Sequence, residues 1–489
     1  MPRFTQVKAL TDGGTLRAYF ESVGVEIPTD TEVDPTGVLA APMTITDGAA
    51  GRVAVPNRWT VLPMEGWDGL ADGRPSELVK RRWQRFGESG AGLVWGEATA
   101  VRHDGKANPN QLVLNETTVD DIAELRTQLD PSQVTVLQLT HSGRYARPTA
   151  EGPEPRILYE HPLLDDRDDV AADGSNLLSD DEIDELVEQF IAAAVLAGQA
   201  GFDFVDVKAC HGYLGHEFLS AWDRPGRYGD DLEGRSNFLR SVITGVREAA
   251  PGIGVAVRLS LFDFVPHVAG EGGIGRPAAA AGHGPDGFTD GSTDDSTDGY
   301  RHAFGGDGTG LGYDLAETHE LLDRLAGLGV GLVCASAGSP YYVPHVQRPA
   351  YFPPSDGYQP PEDPLVGVAR LIAATTEVTQ RHPDMRIVGA GLSYLQQWLP
   401  NVGQAMVASG CADSVGLGRM MLSYPHLPAD VLAGRRLNKR LLCRTFSDCT
   451  TAPRNGLVSG CYPLDDFYRQ REERVLLAAA KKQSRTRLR

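Results

Sequence analysis

No apolar run in this 489-residue chain reaches the roughly 18 residues that a membrane span requires, so no membrane partner is expected. The opening residues, MPRFTQVKALTDGG, lack the apolar core of a secretory signal, and cytoplasmic residence is the expectation. Cysteine is scarce, and six scattered residues do not make a disulfide framework. Basic charge is short as well: 46 Lys and Arg stand against 65 Asp and Glu, a net of −19. Binding to a phosphate backbone depends on clustered cations, so no nucleic-acid partner is expected. The basic run KKQSRTRLR reads as a short solvated tail. Also missing is any strand–GxGxxG–helix unit; GAGLSY from Gly389 has glycines at the wrong spacing, which weighs against an open dinucleotide-binding sheet.

What is present is a rhythm. Short runs rich in Val, Ile, Leu, Phe and Trp alternate with longer helical patterns, as parallel β/α units do. The runs are RWTVLPME from Arg58, AGLVWGEATAV from Ala91, QVTVLQLTH from Gln133 and FDFVDVKAC from Phe202. The second half adds IGVAVRLSLF from Ile253, VGLVCASAG from Val330, MRIVGAG from Met385 and ADSVGLGR from Ala412. Eight strands in β/α alternation is the count that closes a barrel. The expected fold is therefore α/β, a TIM (β/α)8 barrel over residues 57–440. SDDEIDELVEQFIAAAVLAGQAG opens on Ser179 as a helix N-cap, with acids in its first turn. Residues 1–56 read as an irregular extension forming a bottom cap or hairpin, and 441–489 as a Cys-containing segment with the basic tail. The stretch 267–312, rich in Gly and Asp, follows the fifth strand and reads as a flexible insertion or an active-site lid.

Chemistry concentrates where the fourth strand ends. VDVKACHGYLGHEFLS, from Val205, delivers Lys208, His211 and Tyr213 in quick succession, on the barrel face where active sites lie. Taken alone, an HGY triplet reads better as His211 capping a helix and Tyr213 packing. The surroundings are more specific. HGYLGHEFLS, then R-x-x-R-Y-G from Arg224 and E-G-R-S-N-F from Glu233, resembles the signature of the old yellow enzyme family of FMN oxidoreductases. Further blocks similar to that family follow its order: NRWTVLPMEG from Asn57, VLQLTHSGR from Val136, VAVRLS with Arg258, VGAG with Gly391, and VGLGRMMLSYP with Gly418 and Arg419. The resemblance runs from Val38 to Gly434.

That resemblance implies FMN. Backbone around Pro63, Met64 and Ala98 would meet the isoalloxazine edge, Gln138 its pyrimidine, and Arg258 the negative charge of the reduced ring. The phosphate would rest on amides near Gly391 and Gly418, with Arg419 as its charged partner. NAD(P)H would act as a diffusible hydride donor. An activated alkene would then take hydride from the flavin and a proton from Tyr213, its carbonyl polarised from positions 208 and 211.

The chain departs from the family pattern in three places. Lys208 stands where the family has its first His; a protonated lysine there implies a small, anionic substrate, unless it turns aside to pair with an acid such as Glu217. Glu65 follows Pro63–Met64 where relatives often carry Thr or Cys; ionised it would lower the flavin potential, protonated it would donate a hydrogen bond. Iron–sulfur relatives carry C-x2-C-x3-C-x11-C, but here Leu442 and Thr445 take the first two positions, leaving Cys449 and Cys461, with Cys443 out of register. Four thiolates are needed for a [4Fe–4S] cluster, so none is assigned; a remnant, or zinc on three Cys and another ligand, stays open.

The function expected is an FMN-dependent, NAD(P)H-driven reduction of an activated C=C bond. The alternatives are an FMN-dependent dehydrogenase or demethylase acting oxidatively on an amine, and a non-catalytic flavin-binding electron carrier. Tyr341, Tyr342 and His345, after the sixth strand, would reach the pocket mouth or pack as a rim loop. A homo-oligomer is compatible with each reading.

Overall fold

A computed structural model describes residues 4–168, 170–171, 173–278 and 299–487. Eight parallel strands close into a barrel: β1 (Trp59–Val61), β2 (Leu93–Ala100), β3 (Val134–Thr140), β4 (Phe204–Val207), β5 (Gly254–Ser260), β6 (Leu332–Ser336), β7 (Arg386–Gly389) and β8 (Ser414–Leu417). The ring shuts where Val415, Gly416 and Leu417 of β8 pair with Trp59, Thr60 and Val61 of β1. These strands are buried on both faces, which is why the sequence shows them as apolar runs rather than as alternation. β1 is shorter than RWTVLPME suggests, because Pro63 brings no N–H to a ladder. β2 carries an irregularity between Trp95 and Ala98.

A helix follows each strand: α1 (Glu77–Gly87), α2 (Val119–Arg126), α3 (Asp180–Gln199), α4 (Asn237–Ala249), α5 (Ala316–Gly327), α6 (Pro364–Arg381), α7 (Leu399–Ala408) and α8 (Leu427–Leu432). α3 starts as the sequence suggests. Ser179 Oγ accepts from Glu182 N at 3.2 Å, while Glu182 Oε2 accepts from Ser179 N at 2.8 Å, a reciprocal cap.

The barrel interior is layered. Met43, Ile45 and Val55, from an antiparallel hairpin (Met43–Asp47 with Gly51–Val55), pack with Leu93, Trp95, Val136, Phe204, Ala256, Leu332 and Val388. Hydrophobic side chains thus plug the barrel from below, and polar residues continue the same inward columns above. Phe204, Asp206 and Lys208 alternate along β4, as do Val136 and Gln138 on β3 and Ala256 and Arg258 on β5.

Three flanking regions differ in detail from their sequence expectations. The N-terminal extension contains a regular helix, Gly13–Ser22, capped by Asp12 and buried at Leu16 and Phe20. Trp398 Nε1 donates to Leu10 O at 2.8 Å and anchors it. After β5, His267–Ala269 pairs with Gly275–Pro277, and His267 N donates to Tyr342 O at 2.9 Å. The Gly/Asp-rich core of that insertion, 279–298, lies outside the described residues. The basic tail as far as Arg487 belongs to a helix, Glu473–Arg487, whose Leu477 is buried with Ala452, Tyr462 and Tyr468. Composition alone hid that apolar anchor.

Candidate active site

The C-terminal ends of the strands open into one cavity of about 250 Å³. Pro63, Met64, Glu65, Ala98, Gln138, Lys208, His211, Tyr213, Arg258, Gly391, Gly418 and Arg419 all line it. Residues separated by up to 356 positions in sequence are brought together because each follows or ends a barrel strand. The described residues of 267–312 do not line it.

At its centre is a hydroxyl–carboxyl cluster. Tyr213 OH lies 2.7 Å from Glu65 Oε2 and 2.9 Å from Tyr341 OH. Asn108 Nδ2 donates to Glu65 Oε1 at 3.0 Å. Burial pushes the Glu65 carboxyl up, against the opposing pull of Lys208, and burial with the neighbouring Glu65 carries the Tyr213 phenol far above its ordinary range. Lys208 does not pair with Glu217, which is bonded by Arg144 Nη2 at 2.8 Å. Instead the Lys208 ammonium lies 3.4 Å from the centroid of the Tyr213 ring, with no ion pair among the described residues. Burial lowers its pKa.

His211 sits in the left-handed region, φ 68°, with its amide on Ser260 Oγ at 3.2 Å. Its Nε2 is met by Ser336 Oγ at 2.8 Å and Gln347 Nε2 at 3.3 Å. Burial, reinforced by Arg258 and Lys208, holds the imidazole neutral. Below, Asp206 accepts from Gln138 Nε2 at 2.5 Å, Trp95 Nε1 at 2.8 Å and Arg258 N at 2.7 Å, so the Gln138 amide is held in one orientation. Burial lifts Asp206 to about 6. Arg258 Nη1 donates to Pro63 O at 3.1 Å.

The Pro63–Asp68 loop is fixed from outside the barrel by buried charge. Arg82 on α1 bonds Asp68 at 2.6 Å and Glu97 at 2.9 Å, and Glu97 also accepts from Trp83 Nε1 at 2.9 Å and Gly66 N at 3.0 Å. Arg82→Met leaves two buried carboxylates without their cation. We expect a loss of about 3–5 kcal/mol, read as a lower urea midpoint at pH 7.

The far end of the cavity is rich in unsatisfied cations. Among the described residues, Arg348 Nη2 and Arg419 Nη1 are buried without a hydrogen-bond partner, as is Gln347 Oε1 nearer to His211. Burial and the neighbouring Arg454 and Arg419 push Arg348 down to about 9. Gly391 has φ 83°, and a Cβ there would lie 2.3 Å from Leu371 Cδ1; a Cβ on Gly418 would point into open space. Orphaned guanidinium donors beside an open glycine backbone suit a phosphate, and polar groups from Gln138 and Arg258 suit a flavin ring edge. The residues present fit FMN.

Sequence reasoning did not single out Arg348, Gln347, Arg454, Asn108 or Asp206. Asp206 carried a readable signal, an acid at an inward position of an otherwise apolar strand. The segment 341–359 was noted for its aromatics: Tyr341 lines the cavity, whereas Tyr342 bonds Asp263 and His345 bonds Tyr358 OH at 2.8 Å. Cys443, Cys449 and Cys461 line a neighbouring space of about 20 Å³. Among the described residues, no group of three or more His, Cys, Asp or Glu side chains is arranged to hold a metal ion.

The sequence of residues 41–273 matches the model of the NADH:flavin oxidoreductase / NADH oxidase family. That match covers 233 of the 489 residues. A similar protein is the NADPH dehydrogenase of Bacillus velezensis, 30% identical over 233 residues, which are 46% of this chain and 64% of the relative. The chain thus spans under two thirds of the length of this curated relative. Among solved structures, a 2-naphthoyl-CoA reductase complexed with 2-naphthoyl-CoA superposes with a TM-score of 0.63 at 19% identity, covering 88% of this chain and 57% of that one. An old yellow enzyme homologue from Zymomonas mobilis gives 0.55 at 20% identity, covering 82% and 94%. At such identities the structural likeness speaks for the shared barrel alone. The family match ends at residue 273, so β6–β8 and the arginine end of the cavity lie beyond it.

Proposed function

We propose that this protein is an FMN-dependent oxidoreductase that takes reducing equivalents from NAD(P)H and reduces an activated C=C bond in a small, anionic substrate. The observation that carries this reading is the meeting, in one cavity, of the Tyr213 hydroxyl, Arg258 and Gln138 with unpartnered arginine donors at the opposite end. The similarity to the NADPH dehydrogenase of Bacillus velezensis supports the donor.

FMN, when bound, supplies hydride transfer between the nicotinamide and the acceptor. The chain's own groups do the rest. Arg348 and Arg419 would hold the phosphate. Gln138, oriented by Asp206, and Arg258 address the polar edge of the ring. Tyr213 gives up its proton to the carbon beside the activating group. Lys208, without an acid of its own, attracts a carboxylate or comparable anionic oxygen; desolvated cations recognise such groups strongly. His211, neutral, offers or accepts a hydrogen bond without adding charge.

The test is anaerobic mixing of the FMN-loaded protein with NADPH and then NADH, followed by an enone or its matching enoic acid. Bleaching by either nicotinamide, with recovery faster for the acid and that preference lost in Lys208→Met, is the expected result. A protein that does not take up FMN, or that stays oxidised with both donors, overturns the reading.

A further inference from the structure

Glu65 is half-buried, lines the cavity and touches the Tyr213 hydroxyl. We propose that Glu65 is the proton reservoir of Tyr213: a positioning residue whose protonation state decides which way the Tyr213 hydroxyl points and which refills it after each turnover. The inference deepens the reading above and rests on it.

The geometry leaves few arrangements. Asn108 Nδ2 donates to Glu65 Oε1 at 3.0 Å, so that oxygen is an acceptor in either state. Glu65 Oε2, 2.7 Å from the Tyr213 oxygen, then has two options. When Glu65 is ionised, Tyr213 must donate to it, and the phenolic proton points away from the reacting space. When Glu65 is protonated, Oε2 donates and the Tyr213 oxygen accepts, which frees the phenolic proton for substrate. Tyr341 OH, 2.9 Å from the same oxygen, fits both states by rotating its own hydrogen.

The bonds balance. The Tyr213 O–H bond breaks as the substrate C–H bond forms; the Glu65 O–H bond breaks as the Tyr213 O–H bond reforms; a water proton then restores the carboxyl group. The electron pair is that of the reaction proposed above, so no further oxidant or reductant enters.

The charges facing this pair pull in opposite directions. Lys208 draws Glu65 toward ionisation and Glu97 opposes it, while desolvation favours the neutral acid. Arg348 and Arg454 act on Tyr341 from the other side. Lys208 does not cancel Glu65 by direct pairing, because its ammonium lies over the Tyr213 ring.

The experiment uses Glu65→Gln, an isostere that keeps hydrogen bonds but cannot pass a proton, and Tyr341→Phe as the second variant. Infrared difference spectra of the protein as purified, recorded across pH 5–9, are expected to contain a protonated-carboxyl band that titrates and is absent from Glu65→Gln. In stopped flow, the first alkene half-reaction of Glu65→Gln should lose its pH inflection, and its repeated turnover should slow by roughly 10–100-fold because Tyr213 is not refilled, whereas Tyr341→Phe, which retains the carboxyl group, keeps the inflection. A carboxyl that stays ionised across the range, or a Glu65→Gln alkene step with the wild-type pH profile, overturns the inference. The infrared titration requires neither flavin nor substrate, so its outcome is read even if the functional reading fails.

Discussion

Tyr213→Phe is expected to reduce the alkene step by about 10²–10⁴-fold, the usual contribution of a positioned general acid. The size of the effect follows from the surroundings of the hydroxyl. Its oxygen is buried and serves Glu65 and Tyr341. Among the lining residues, Lys208 is aligned with the ring face rather than with the reacting space, and His211 Nε2 is taken up by Ser336 and Gln347. Glu65 and Tyr341, the other groups of the cluster, are turned toward the Tyr213 oxygen. The phenyl variant keeps the ring, and with it the Lys208 contact, so binding of an anionic substrate should change little. Single-turnover kinetics with the reduced protein separate the two: a lost rate with a retained substrate dissociation constant is the expected pattern. A rate within threefold of wild type would move proton delivery to another group.

Arg348→Met is expected to have effects of opposite sign on the empty and the loaded protein. Without an anion, the half-buried Arg348 lies beside Arg419 and Arg454, with Nη2 unpaired among the described residues and its pKa pushed down to about 9. Removing that cation relieves repulsion, so the apoprotein should melt higher. The loaded protein loses a charged hydrogen bond to phosphate, typically about 1.5–3 kcal/mol, or about 10–100-fold in FMN affinity. Riboflavin, which has no phosphate, should bind the variant and the wild type alike. Thermal melts of the apoprotein and fluorescence titrations with both flavins test this. An equal loss for FMN and riboflavin would mean that Arg348 supports the ring or the cavity wall rather than the phosphate.

The barrel was legible because its strands are buried on both faces, and β2, β3 and β5 stand out as apolar runs whatever packs around them. Gln138, Lys208 and Arg258 were legible for the complementary reason: each is a polar residue at the end of such a run, where burying it without a purpose would be costly. Arg348 and Asp465 were not legible. Arg348 lies in a loop with no period, and its isolation depends on Arg419, 71 positions later, and on Arg454. Asp465 meets Arg81 at 3.0 Å and Arg85 at 2.5 Å, contacts that span some 380 residues and leave no trace in local pattern. Pairings of this kind exist only once the barrel has closed.

Those contacts also decide what the cavity is made of. Cys449, Thr450, Pro453, Arg454, Ser459, Asp465 and Tyr468 all line it, and Thr450 and Asp465 bind Arg348, Arg81 and Arg85. The wall on that side is therefore supplied by chain that follows the last barrel strand, and it stands only while those arginines hold it. Asp465→Asn, which removes the carboxylate shared by Arg81 and Arg85, is expected to loosen that wall while leaving the barrel strands paired.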